Sequence, residues 1–262
     1  MNVLMWSLAV LPLGAVPEET VNRFEAQSVQ FTGGEYENET FNYRLLKPEN
    51  IEEGKKYPVV LFLHGAGERG DNNTAQLQYL PEWISEPENR KKYPCFLIAP
   101  QCRTNKKWAN VNWGEKDSSP QPDMSEQMQV ALKILKTVTE KYPVDTQRVY
   151  LTGLSMGGYG SWDLACRQPE MFAAVAPVCG GGDERQAAKL VGVPVWAWHG
   201  DADPAVPVER SRKMIEAIKK AGGMPKYTEL PKVGHNSWVQ AYHGPENLLP
   251  WMFEQVNNRQ AK

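Results

Sequence analysis

Five short runs of almost unbroken apolar residues limit what this chain can fold into. They are YPVVLFLHG ending at Gly65, CFLIAP (95–100), RVYLTG (148–153), FAAVAPV (172–178) and VPVWAWHG (193–200). A strand with one wet face alternates polar and apolar residues, whereas a run without alternation must be covered on both faces. Segments of helical period lie between and after the runs. Residues 124–142 place Met128, Ala131, Leu132, Leu135 and Val138 on one face, with Asp123 or Ser125 as N-cap and Pro143 as a stop. Helices are also predicted over 156–167, over 208–221 with Gly222-Gly223 as terminator, and over 245–256. Buried strands alternating with helices predict an α/β class: a mostly parallel central sheet flanked by helices on both faces. Residues 28–46 read as two more strands around a Gly-Gly turn, a hairpin at the sheet edge. No linker splits the chain, so residues 17–262 are read as a single domain.

A chain of 262 residues can bury one large core. Its formal charge of −2, with both signs interspersed, gives no electrostatic footprint for nucleic acid. Residues 1–16 are apolar and end on small residues at Gly14 and Ala15, as in an export signal, but they carry no Lys or Arg. We read them as a signal, which favours a secreted or periplasmic location over the cytoplasm. The alternative is an apolar segment packed on the domain. About fifteen residues interrupted by Pro12 are too few to span a membrane, which needs roughly 20. The four cysteines show no CxxC and no zinc spacing, and buried free thiols are the default.

In an open parallel sheet, ligands bind beyond the carboxyl ends of the strands. That filter selects HGAGERGD after the first run, GLSMGG after the third, HGDADPAVP after the fifth and VGHNSW after KYTEL (226–230). A serine hydroxyl is a weak nucleophile and needs a base that is itself oriented by a third group. Gly153-Leu154-Ser155-Met156-Gly157 fits the G-x-S-x-G elbow between a strand and a helix, where Cβ atoms at the flanking positions would collide with backbone. Asp203 follows 48 positions later and His235 another 32, an order of nucleophile, acid and base. Oxyanion donors would be the backbone N–H of Met156 and that of Ala66, with Gly67 the second choice on the same loop.

LHGAGERGD, GLSMGGYGSWD, HGDADPAVPV and GHNSW together resemble the α/β-hydrolase superfamily over roughly residues 41–253. The chain is similar to its small serine carboxylesterases, the phospholipase/carboxylesterase, dienelactone-hydrolase-like and feruloyl-esterase-like group. The resemblance implies the α/β-hydrolase fold, metal-free ester hydrolysis and the triad Ser155, Asp203 and His235. Dienelactone hydrolases carry cysteine at the elbow, so that activity is not expected here.

Asp201 and His243 are the rival acid and base. Asp201 reads as a turn residue and His243 as the entry to the last helix. His64 and His199 read as structural groups beneath the site, and Glu68, Arg69 and Asp71 as a charged loop fixed by mutual pairing or simply solvated, ahead of a substrate contact. Trp113 and Trp238 are candidate substrate contacts, and Trp108 is a weaker one in the same loop as Trp113. Residues 180–192 leave no room for a large cap domain, and only about 50 residues precede the first buried strand. These lengths favour an open site for short or soluble esters over a lidded lipase or a propeller-gated peptidase. The leading expectation is a serine carboxylesterase acting through an acyl-enzyme. The second is an acetyl or feruloyl esterase on plant polysaccharide esters. A catalytically silent scaffold for a ligand or partner is the reading from another class.

Overall fold

The computed structural model describes residues 14–118 and 122–261. The export-signal reading therefore falls, for residues 1–13, outside the described residues. Among the described residues the strands are β1 (Glu25–Gly33), β2 (Tyr36–Leu46), β3 (Tyr57–Leu63), β4 (Phe96–Pro100), β5 (Val144–Leu154), β6 (Ala174–Val178), β7 (Trp196–Gly200) and β8 (Lys226–Leu230). They form one sheet in the order β1-β2-β4-β3-β5-β6-β7-β8. The hairpin β1–β2 joins β4 antiparallel, and every pairing from β4 to β8 is parallel.

The helices are α1 (Glu18–Arg23), α2 (Leu80–Ile84), α3 (Pro87–Lys92), α4 (Glu126–Lys141), α5 (Met156–Arg167), α6 (Glu209–Lys220), α7 (Trp238–His243) and α8 (Leu248–Glu254). All seven residues of β3 and all five of β4 and of β6 are buried. Two apolar layers, one per face, follow from the strand period of two. Leu61 and Leu63 share a cluster with α4 residues such as Ile134, while Val60 and Phe62 pack with Leu80 of α2 and Tyr242 of α7. Ser125 caps α4 by accepting from the Met128 N–H at 3.1 Å.

Two differences from the sequence reading have local causes. The helix expected over 245–256 spans only 248–254, because Asn247 caps it by accepting from Leu249 N–H. Residues 238–243, for which the sequence predicts no helix, form α7, whose Ala241 and Tyr242 are buried. Between β6 and β7 lies only a short 3-10 segment, Glu184–Leu190. At the sheet end remote from β5's carboxyl terminus, Asn257 N–H binds Gln147 O at 2.8 Å and tethers the C-terminal tail.

Leu61→Ala in the centre of β3 removes a fully buried side chain. We expect it to lower the unfolding free energy by about 2–5 kcal/mol, measured by urea titration.

Candidate active site

β5 delivers Ser155 to the start of α5 in a conformation few L-residues adopt, with φ 53° and ψ −116°. Such backbone costs roughly 1–3 kcal/mol and persists only where its surroundings over-determine it. The surroundings here are tight. A Cβ at Gly157 would stand 1.8 Å from the Leu63 carbonyl oxygen, and one at Gly153 would stand 2.5 Å from that same oxygen. Only glycine lets the end of β3 and the first turn of α5 approach this closely. Ser155 N–H is anchored to Val178 O at 3.0 Å.

Ser155 Oγ lies 2.9 Å from His235 Nε2, and His235 Nδ1 lies 2.7 Å from Asp203 Oδ2. Because a carboxylate only accepts, Nδ1 carries the proton and Nε2 faces the serine hydroxyl as an acceptor. Asp203 Oδ1 accepts from the N–H groups of Ala205 and Val206 at 2.8 and 2.9 Å. His199 Nε2 stands 3.2 Å from Oδ2 and 3.1 Å from Val206 O; both are acceptors, so this nitrogen is protonated. Burial alone would raise the Asp203 carboxyl. The bonds from His199 and His235 and that from Val206 N–H outweigh it and hold the group well below the ordinary carboxylate range. Ser155 and His235 are partly exposed, and the Asp203 side chain is wholly buried.

The loop after β3 is pinned peptide by peptide. Cys102 N–H donates to His64 Nε2 at 2.9 Å, so His64 holds its proton on Nδ1, which donates to Gly65 O at 2.6 Å. Burial, with a smaller contribution from the Arg69 charge, pushes His64 down to about 4 despite that bond, so it is neutral at ordinary pH. A trans peptide points its N–H opposite its C=O, so the Ala66 N–H is turned away from His64. Trp108 Nε1–H donates to His64 O at 3.0 Å, and Arg69 Nε–H donates to Ala66 O at 2.8 Å. Trp108 is therefore a buried buttress and not an exposed loop aromatic.

Trp113 is half-buried against Arg69, 5.8 Å from its ring centroid, and Gly67 is exposed. Trp238 sits edge-on to the His235 ring, with centroids 5.3 Å apart. Asp201 Oδ1 accepts from Lys232 N–H at 2.6 Å in a turn, and His243 stacks on Trp83 at 4.8 Å. Neither joins the hydrogen-bonded line. Among the described residues, Cys179, Asp203 and His235 offer ligand atoms within 4.8 Å of one another. Yet both His235 nitrogens are engaged, and burial pushes the Cys179 thiol up and keeps it protonated. That donor set suits a proton relay better than a metal.

Sequence reasoning missed the bond from His199 to Asp203. Its signal was present in HGDAD, which sets the two four residues apart across one turn. Tyr79, described below, gave no signal.

The sheet order and the strand-to-helix elbow place this chain in the α/β-hydrolase fold. A structure described as a thermostable esterase superposes with TM-score 0.81 at 34% identity, over 91% of this chain and 64% of that one. The Esterase family ("Putative esterase") matches residues 35–222, and the chain belongs to it. Relatives include "Probable feruloyl esterase C" of Aspergillus niger, 28% identical over 75% of this chain and 67% of that protein. "Feruloyl esterase D" of Neurospora crassa is 26% identical over 77% of this chain and 67% of its own length. The chain thus spans about two thirds of the length of these relatives and of the thermostable esterase. A ferulic acid esterase structure shares the fold at TM-score 0.63 and 19% identity.

Beside this loop, burial pushes the Glu68 carboxyl up to about 7 against the pull of the backbone N–H groups of Gly65 and Glu68. With His64 neutral, their 3.9 Å approach is not an ion pair. The native state keeps the Glu68 proton between pH 4.5 and about 7, where the unfolded chain has lost it, so stability falls as pH rises through that window. Glu68→Gln is expected to stabilise the protein more at pH 8 than at pH 5, with a difference of up to about 3 kcal/mol in urea titrations.

Proposed function

We propose that this protein is a serine carboxylesterase with Ser155, His235 and Asp203 as its catalytic triad, carried on residues 17–262 as one catalytic unit. The observation that carries the reading is the unbroken hydrogen-bonded line from the Ser155 hydroxyl through both His235 nitrogens to a buried carboxylate. In the first half-reaction, Ser155 Oγ attacks the ester carbonyl carbon while its proton passes to His235 Nε2. The resulting oxyanion is held by the N–H groups of Met156, in the first turn of α5, and Ala66. The C–O bond to the alcohol breaks, His235 returns its proton to the departing oxygen, and an acyl-serine remains. Water then repeats the sequence, losing a proton to His235, and the acid leaves as Ser155 is restored. Asp203 keeps the imidazole in the tautomer that accepts from serine and stabilises the imidazolium that forms.

No cofactor enters this scheme. The substrate is a small or polysaccharide-linked carboxylic ester, with Gly67, Trp113 and Trp238 as its candidate contacts. Feruloyl esters are a specific second reading within the class. It is favoured by the names of the relatives and by two partly buried aromatic side chains, Trp113 against Arg69 of the loop after β3 and Trp238 against His235.

The test is hydrolysis of p-nitrophenyl esters from acetate to laurate alongside methyl ferulate, with fluorophosphonate labelling of the same samples. Wild type is expected to turn over short esters and to label stoichiometrically at Ser155. Ser155→Ala and Asp203→Asn are expected to lose at least about 10⁴-fold in kcat while remaining folded. Absence of both labelling and turnover in folded wild type would favour the silent scaffold.

A further inference from the structure

Tyr79 is the residue that the mechanism leaves unexplained. It immediately precedes α2 with φ 67° and ψ −114°, the same sparsely populated region that Ser155 occupies. Glycine would enter this conformation without steric cost, yet the chain places one of its largest side chains there. Strain of this kind in an L-residue is a reason to ask what the side chain does.

The ring answers by its neighbours. Its centroid is 5.3 Å from that of Trp238, which in turn is 5.3 Å from His235 and perpendicular to it. Trp83 continues the row, 6.3 Å from Tyr79. Tyr79 and Trp83 lie four residues apart, at the start of α2 and within it, while Trp238 comes from α7, and each of the three is only partly buried. Burial, and secondarily the Glu68 charge, push the Tyr79 phenol up to about 12, so its hydroxyl remains a donor.

The geometry of proton return assigns the side. His235 Nε2 must reach the departing alcohol oxygen, whereas the loop at Ala66, with Arg69 and Trp113 behind it, faces the carbonyl oxygen. The aromatic row meets the ring of the histidine directly, through Trp238. Resting on the esterase reading above, we propose that Tyr79, Trp238 and Trp83 form an alcohol-side subsite that receives the face of a ring in the departing alcohol. Aryl and pyranose rings both present such a face to an aromatic side chain.

The experiment holds the acyl group constant and varies the alcohol: ethyl acetate, benzyl acetate and methyl glucopyranoside 6-acetate. Each is assayed with wild type, Tyr79→Gly and Tyr79→Phe, and each protein's Tm is recorded. All three acetates share one acyl-enzyme, so the subsite acts through kcat/KM and not through deacylation. Tyr79→Gly is expected to lower kcat/KM about tenfold for at least one ring-bearing acetate and less than about twofold for ethyl acetate, with Tm unchanged or raised. Tyr79→Phe is expected to keep the wild-type ratios. Which ring ester falls separates an aryl from a sugar alcohol.

An equal fall on all three esters, or no fall on any, overturns the subsite. If Tyr79→Gly does not fold, Tyr79→Asn, which tolerates positive φ, is read by the same criterion. Wild type inactive on every acetate overturns the esterase reading and the subsite with it, whereas turnover with unchanged ratios overturns the subsite alone.

Discussion

Everything at the site depends on how closely two pieces of backbone meet. The carbonyl of Leu63, at the end of β3, occupies space that any side chain at Gly157 would need. This contact presses the first turn of α5 against the strand beside it and brings the loop after β3 alongside Ser155. It also leaves Ser155 no ordinary conformation, because the chain must leave β5 and enter α5 within one residue. The position of Ser155 is thus a by-product of packing between a strand and a helix, which sets its hydroxyl beside the first turn of α5 and the loop after β3.

Around that edge, electrostatic control comes from assigning each proton a fixed place. Asp203 is buried but receives donors on both oxygens, so it remains an anion where an isolated carboxyl would not. His64 is buried to the opposite effect. An N–H donor on one nitrogen and a carbonyl acceptor on the other allow it one neutral tautomer, and that tautomer sets the plane of the next peptide. His235 stands partly exposed, with one nitrogen held by Asp203 and the other facing the Ser155 hydroxyl.

Much of this was legible in the sequence, for physical reasons. Fully apolar runs announced buried strands, and the strand-end rule placed Ser155, Asp203 and His235 on one edge before any coordinate did. The family pattern, with the acid just before Pro204, separated Asp203 from Asp201, which the fold uses to close a turn. What stayed hidden depends on side-chain direction. Trp108 and Trp113 share one loop, yet Trp108 turns inward to bind a carbonyl while Trp113 lies against Arg69. Tyr79 could not be found at all, since positive φ in a tyrosine has no pattern of neighbours to betray it. α7 was missed because its six residues are too few to display a period.

The conformation of Ser155 carries a further consequence. It has no intrinsic preference for its φ and ψ and keeps them only while β3, α5 and the Val178 carbonyl remain in place. Any loosening of those contacts lets the residue relax to an ordinary backbone and withdraw its hydroxyl from His235 before the rest of the sheet separates. Reactivity at this one side chain is therefore a gauge of the native state. During gradual heating or denaturation, chemical competence should disappear ahead of the spectroscopic signal for the fold, and it should return last on refolding.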